Sequence, residues 1–131
     1  KNLEIEKIIN KINFKIKIFY TKYKLINANK IKNKRILAFA GIGNPDNFFD
    51  LLKDNNFEIV KSINFPDHYS FSKNDILKLN QEARELNIEL ITTEKDYFRL
   101  KNKERENINF LKIELQIDKK SEFIDELKKI I

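Results

Sequence analysis

The spacing of apolar residues changes along this chain, and each spacing predicts a different element. Leu3, Ile8, Ile9 and Ile12 recur at the helical interval, so residues 1–12 are expected to form an amphipathic helix. NFKIKIFY (13–20) then alternates polar and apolar residues and predicts a strand, against which the weakly apolar patch Tyr23–Ile26 is expected to fold as a hairpin arm. From residue 35 the pattern sharpens. ILAFA (36–40) is apolar at every position, as in a parallel strand buried on both faces. Asn44 and Pro45 supply an N-cap and first helical residue for a helix to about Asp54, with Phe48, Phe49, Leu51 and Leu52 facing inward.

Phe57–Phe65 reads as the next strand. Ser72 and Asp75 have the form of a capping box opening a helix with Ile76, Leu77, Leu79, Ala83 and Leu86 on its apolar side. Ile88–Thr92 is a further short strand, Thr93 caps a short helix through about Leu100, and Ile108–Ile117 is a strand. A closing helix, capped by Asp118 or Ser121, places Phe123, Ile124, Leu127 and Ile131 together. Strands alternating with helices in this way predict an α/β fold: a Rossmann-like three-layer sandwich with a mostly parallel sheet. The expected organisation is a helix and candidate two-stranded linker over 1–34, followed by an α/β lobe over 35–131.

Composition narrows the chemistry. The 131 residues contain no Cys and one His, which excludes disulfide frameworks, thiolate zinc sites and cysteine nucleophiles and leaves too few imidazoles for a typical catalytic zinc. No apolar run approaches the ~18–20 residues of a spanning helix, and the basic-then-apolar layout of a signal peptide is missing, so a cytosolic setting is expected. With no Met in the chain, a fragment of a longer protein is expected. The net charge of +6 arises from 22 Lys and only 4 Arg, alongside 21 Ile and 17 Asn. These are residues of A/T-rich codons, so the charge reflects composition bias, and no nucleic-acid partner is expected.

Residues that resist the bias stand out. The two Gly, two Pro and single His all fall in GIGNP (41–45) and FPDH (65–68). Together with TTEKD (92–96) these segments each follow a predicted strand, at the carboxyl edge where open α/β sheets place function. GIGNP is suited either to anion or substrate contact at a helix N-terminus or to a tight turn. With only Gly41 and Gly43, neither a dinucleotide fingerprint nor a Walker A loop can be written. Asp67 and His68 are candidates for acid–base work, with a structural turn as the plainer alternative. Thr93 and Asp96 are explained locally as a helix cap. Glu94 and Lys95 are candidates to face the rim, Lys95 as a phosphate-neutralising charge or an ordinary solvated lysine, and Arg99 is a candidate anion ligand or ion-pair partner.

In order, AFAGIGNPDNFFDLL (38–52), FPDHYSFS (65–72) and LITTEKDYFRL (90–100) resemble the C-terminal portion of the tetraacyldisaccharide 4'-kinase (lipid A 4'-kinase) family. The resemblance implies transfer of the γ-phosphate of ATP to the 4'-hydroxyl of tetraacyldisaccharide 1-phosphate, forming lipid IVA, with Mg²⁺ required. It also implies two α/β lobes joined by a two-stranded linker, working at the cytosolic face of the inner membrane. The N-terminal lobe would carry the P-loop and bind ATP and Mg²⁺. It lies outside this sequence, so no kinase activity is expected of the 131 residues alone. By the same resemblance His68 pairs with an aspartate of that lobe to activate the sugar hydroxyl, while Asp67 orients His68 or lines the cleft. Gly41, Gly43, Asn44 and Pro45, with Thr93, Glu94, Lys95 and Asp96, would shape the cleft edge or lobe interface. The competing readings are a non-catalytic module binding nucleic acid or anionic lipid, and an inactive remnant.

Overall fold

A computed structural model describes residues 2–131, which divide into two compact units, Leu25–Ile113 and residues 2–24 with 114–131. The larger unit is built on four parallel strands, β2 (Arg35–Ala40), β3 (Glu58–Asn64), β4 (Glu89–Thr93) and β5 (Ile108–Leu111), in the order β3-β2-β4-β5. The helices between them are α2 (Pro45–Asp54), α3 (Lys73–Glu85) and α4 (Glu94–Arg99). The alternate residues of β2 explain why ILAFA is apolar throughout. Ile36, Ala38 and Ala40 pack with Phe48, Phe49 and Leu52 of α2, whereas Leu37 and Phe39 pack with Ile76, Leu79 and Ala83 of α3. Both faces of the sheet are therefore covered, as a parallel sheet requires. Leu77 and Leu86, expected on the inner side of α3, are exposed instead.

With only two glycines, the chain uses asparagine to leave its helices. Asn56 after α2 (φ 62°) and Asn87 after α3 (φ 52°) are both left-handed. Each exit carries the two bonds of a Schellman motif: Phe57 N–H to Leu52 O (3.1 Å) and Asn56 N–H to Lys53 O (3.0 Å), then Ile88 N–H to Ala83 O (3.0 Å) and Asn87 N–H to Arg84 O (3.1 Å). The buried Phe57 and Ile88 close the apolar half of the motif.

The smaller unit contains α1 (Leu3–Ile12), α5 (Lys120–Lys128) and a two-stranded antiparallel sheet of β1 (Thr21–Leu25) with β6 (Ile113–Ile117). This corrects the hairpin reading of 13–34. Residues 13–20 form no strand, and β1 pairs with a segment about 90 residues further on. The expected strand 108–117 is likewise two, broken at Lys112. Helix α5 is preceded by Lys119 in a left-handed conformation (φ 55°), and neither Asp118 nor Ser121 is its N-cap. Within this unit Phe19 and Phe123 meet edge-on at 5.2 Å and the Tyr20 hydroxyl donates to Glu6 Oε1 (2.5 Å). None of the described residues in 2–24 and 114–131 is buried, while Leu25 at the end of β1 belongs to the core of the larger unit. Among the described residues no helix is long and apolar enough to cross a membrane.

Candidate functional site

After β2 the chain crosses to β3 on one side, and it later returns to β4 on the other. The carboxyl ends of β2 and β4 thus flank the point where the strand order reverses, the usual ligand crevice of such sheets. Gly41 leaves β2 here and Asp96 stands one short step beyond β4. The two meet: the Gly41 N–H donates to Asp96 Oδ2 at 2.8 Å. An amide that could have held a ligand anion is taken by the chain's own carboxylate, which favours the turn reading over anion contact at this residue.

Asp96 is fully buried and its remaining bonds are charge-matched. Its Oδ2 also accepts from the Thr93 hydroxyl (3.0 Å), and its Oδ1 accepts from Arg99 Nη1 (3.0 Å). A buried carboxylate left without such partners would carry a large desolvation cost. Arg99 extends the link: Nη1 reaches Gly41 O (3.4 Å) and Nη2 donates to Tyr69 O (2.7 Å). All three sequence segments singled out are therefore joined by two side chains. Local sequence accounts for Asp96 only as the third residue of a capped helix, and it does not reveal Gly41 as its partner.

The FPDHYSF segment is brought alongside by strand pairing, since Phe65 N–H continues the ladder to Ala40 O (2.8 Å). Pro66–Tyr69 then close a tight turn through Tyr69 N–H to Pro66 O (3.0 Å), and His68 N–H donates to Gly41 O (3.1 Å). His68 occupies the left-handed region at φ 60°, a conformation costing a residue with a Cβ about 1 kcal/mol. Its ring and its neighbour do bond: Nδ1 lies 2.9 Å from Asp67 Oδ1. On the other side Nε2 is 3.4 Å from Lys95 Nζ. A lysine ammonium can only donate, so Nε2 accepts and Nδ1 carries the proton toward Asp67. Both members of the pair are exposed, His68 at 69% and Asp67 at 48% of their side-chain surface.

Aromatic packing holds the far side of this turn. Phe65, Tyr69 and Phe71 contact one another at 4.8–5.4 Å, and Phe71 meets Phe39 of the core at 5.5 Å. The Tyr69 hydroxyl donates to Asp75 Oδ2 (3.2 Å), which raises the phenol's pKa, and that same carboxyl is held below its usual range chiefly by the Ser72 hydroxyl.

The remaining candidates sit at the edge of this cluster. Gly43 lies over Asp67, where an added Cβ would be 3.5 Å from Oδ2. At Gly41 a Cβ would stand 3.4–3.5 Å from Pro66 O, Tyr69 Cβ and Asp96 Oδ1, and neither glycine has a positive φ. Asn44 caps α2 by position alone, without a side-chain bond, and Pro45 is its first residue. Glu94 opens α4 as a half-buried residue. Nothing in the structure explains the buried hydroxyl of Thr92, which makes no hydrogen bond.

The donor set does not suit Mg²⁺ or a nucleotide phosphate at this rim. Asp96 is already saturated by its partners, Asp67 is committed to His68, and among the described residues no group of three or more His, Asp or Glu could hold a metal ion. A groove of about 730 Å³ between α3 and residues 101–107 contains none of the motif residues.

A parallel sheet covered on both faces, with three motif loops cross-linked at its carboxyl edge, defines an α/β lobe of the Rossmann-like class. The family model described as Tetraacyldisaccharide-1-P 4'-kinase matches residues 2–131, and the chain belongs to that family. A "Tetraacyldisaccharide 4'-kinase" of Pelagibacter ubique is 36% identical over 129 residues, covering 98% of this chain and 41% of that protein. One of Rickettsia felis is 40% identical over 119 residues (85% and 36%), and one of Parvibaculum lavamentivorans 53% over 64 residues (49% and 19%). The chain thus spans about two fifths of the length of the first of these relatives. No solved structure matches it.

Proposed function

We propose that this chain is the C-terminal lobe of a lipid kinase that moves the γ-phosphate of ATP to the 4'-hydroxyl of tetraacyldisaccharide 1-phosphate, giving lipid IVA in lipid A biosynthesis. The observation that carries the reading is the exposed Asp67–His68 pair, held on a strained turn at the carboxyl edge of a lobe that belongs to this family. In this reading the lobe is the unit Leu25–Ile113, and the β1–β6 sheet takes the place of the hairpin linker expected within 1–34. ATP and Mg²⁺ are assigned to a P-loop lobe supplied by the rest of the enzyme.

In the reaction the 4'-oxygen attacks the γ-phosphorus, the bond to ADP breaks, and the hydroxyl proton must leave. His68 is placed to join a carboxylate of the facing lobe in accepting that proton. Asp67 fixes the ring by accepting from Nδ1, so Nε2, which lies beside Lys95, is the atom left to take the proton. Phosphoryl transfer depends mainly on positioning and charge, so completing a base pair by lobe closure suits it. Gly41, Gly43, Asn44, Pro45 and Thr93–Asp96 form the wall behind the pair. The substrate bears four acyl chains, which places the enzyme at the cytosolic surface of the inner membrane as a peripheral protein. The apolar side chains exposed on α1, Ile5, Ile8 and Ile12, offer surface for the partner lobe or the membrane.

The test is 4'-phosphorylation of the disaccharide precursor by the 131-residue chain mixed with a separately expressed P-loop lobe. Activity should require both pieces and fall by about 100-fold or more in His68→Ala. A folded, associated pair without activity, or lipid IVA formation by the isolated chain, overturns the proposal.

A further inference from the structure

The turn that carries His68 is one the backbone would not hold unaided. His68 sits in the left-handed region, where side chains with a Cβ are disfavoured, and the turn closes by a single internal bond from Tyr69 N–H to Pro66 O. Aromatic packing holds its far side, and the polar anchor on the side of the sheet edge comes from α4. Arg99 spans three acceptors on separate segments: Asp96 Oδ1 at 3.0 Å, Gly41 O at 3.4 Å and Tyr69 O at 2.7 Å. Gly41 O is also the acceptor for His68 N–H, and the Gly41 N–H is fixed on the other side by Asp96 Oδ2. The Gly41 amide just past the end of β2 and the carbonyl that holds the His68 amide are therefore anchored by the same Asp96–Arg99 pair.

We propose that the Asp96–Arg99 pair is a positioning device for His68, acting through the backbone at Gly41 and Tyr69 rather than by touching any substrate. The inference rests on the reading of His68 as the catalytic group. The planar guanidinium is what the arrangement needs, because its donors diverge in a fixed fork, whereas a lysine ammonium is a point charge on a flexible stem. That requirement accounts for an arginine here in a chain where lysine outnumbers arginine 22 to 4. Arg99 is also the member of the pair that can be altered with least damage, since its side chain is 27% exposed while Asp96 is fully buried.

The first arm of the test uses the 131-residue chain and amide hydrogen exchange at His68, with Leu37 and Ile91 of the sheet as internal references. In Arg99→Gln and in Arg99→Lys, protection at His68 should fall at least roughly tenfold, as expected when charge-assisted bonds are lost, while the reference amides keep theirs. Unchanged protection at His68, or equal loss at all three amides, overturns the proposal. The second arm uses the complete kinase. Arg99→Gln should lower kcat by about 100-fold with little change in KM, the cost of a misplaced catalytic group. It should add nothing in a His68→Ala background, because both changes act on the same group. A further loss of similar size in that background means that Arg99 works elsewhere, and the proposal falls. If His68→Ala alone leaves kcat intact, the kinase reading of His68 fails, and the exchange arm still decides whether the pair holds the turn.

Discussion

Helices α3 and α4 begin with the same local wording, Ser72-Lys-Asn-Asp75 and Thr93-Glu-Lys-Asp96. In both, the N-cap hydroxyl accepts the amide of the third helical residue at 3.1 Å. They part at the carboxylate. Asp75 turns back on its own cap, accepting from the Ser72 N–H at 2.8 Å and the Ser72 hydroxyl at 2.7 Å. Asp96 sends Oδ2 to the Gly41 amide, 55 residues away in sequence, and Oδ1 to Arg99. One box keeps its acid on its own cap and the nearby Tyr69, and the other uses it as a buried cross-link between the segments that follow β2 and β4. A capping signature thus locates a helix start without telling where its acid will be used.

The contrast makes quantitative predictions. Asp96→Ala should cost about 3 kcal/mol in urea unfolding, the lower end for breaking a buried pair, because the orphaned Arg99 keeps some contact with water. A loss no larger than that of an exposed cap would erase the distinction between the two boxes. Ser72→Ala should cost about 1 kcal/mol, the usual value of an N-cap, with His68 chemistry untouched. The acid side of the stability profile should report on Asp75. Hydrogen bonding to Ser72 holds the Asp75 carboxyl below its usual range, so its stabilisation is complete above the unfolded-state pKa and disappears as pH falls through the lower folded value. Urea midpoints across that window should decline less steeply in Asp75→Asn than in the parent chain. Smallest of all is Gly41→Ala. Its Cβ would enter at ordinary contact distances and no positive φ is involved, so a change within about 0.5 kcal/mol is expected in the same assay.

From β2 to α4 the fold was legible because each element announces itself locally. ILAFA is apolar on both faces, Pro45 and Ser72 mark helix starts, and Phe48, Phe49 and Leu52 keep helical spacing. The antiparallel pair was not, since β1 and β6 lie about 90 residues apart and the alternation over 13–20, which predicted a strand there, has no partner. The start of α5 escaped as well: Lys119 adopts a left-handed conformation that lysine rarely signals. At the rim, scarcity was the useful sign, since the rare Gly, Pro and His mark the loops that meet. Adjacency in sequence leaves the Asp67–His68 bond open, and it forms here in a turn where His68 has a positive φ. The left-handed helix exits are supplied by asparagines at 56 and 87, and Gly41 and Gly43 have no positive φ.

The Gly41 amide already has a ligand, and that ligand is tethered. Asp96 is bound to the same chain and oriented by Thr93 and Arg99, so its effective concentration at the crevice far exceeds that of any free anion in solution. A phosphate or nucleotide would have to compete intermolecularly against an intramolecular carboxylate. At this amide the crevice is closed by the chain itself, and the exposed side chains nearest to it are those of Asp67 and His68 on the outer rim.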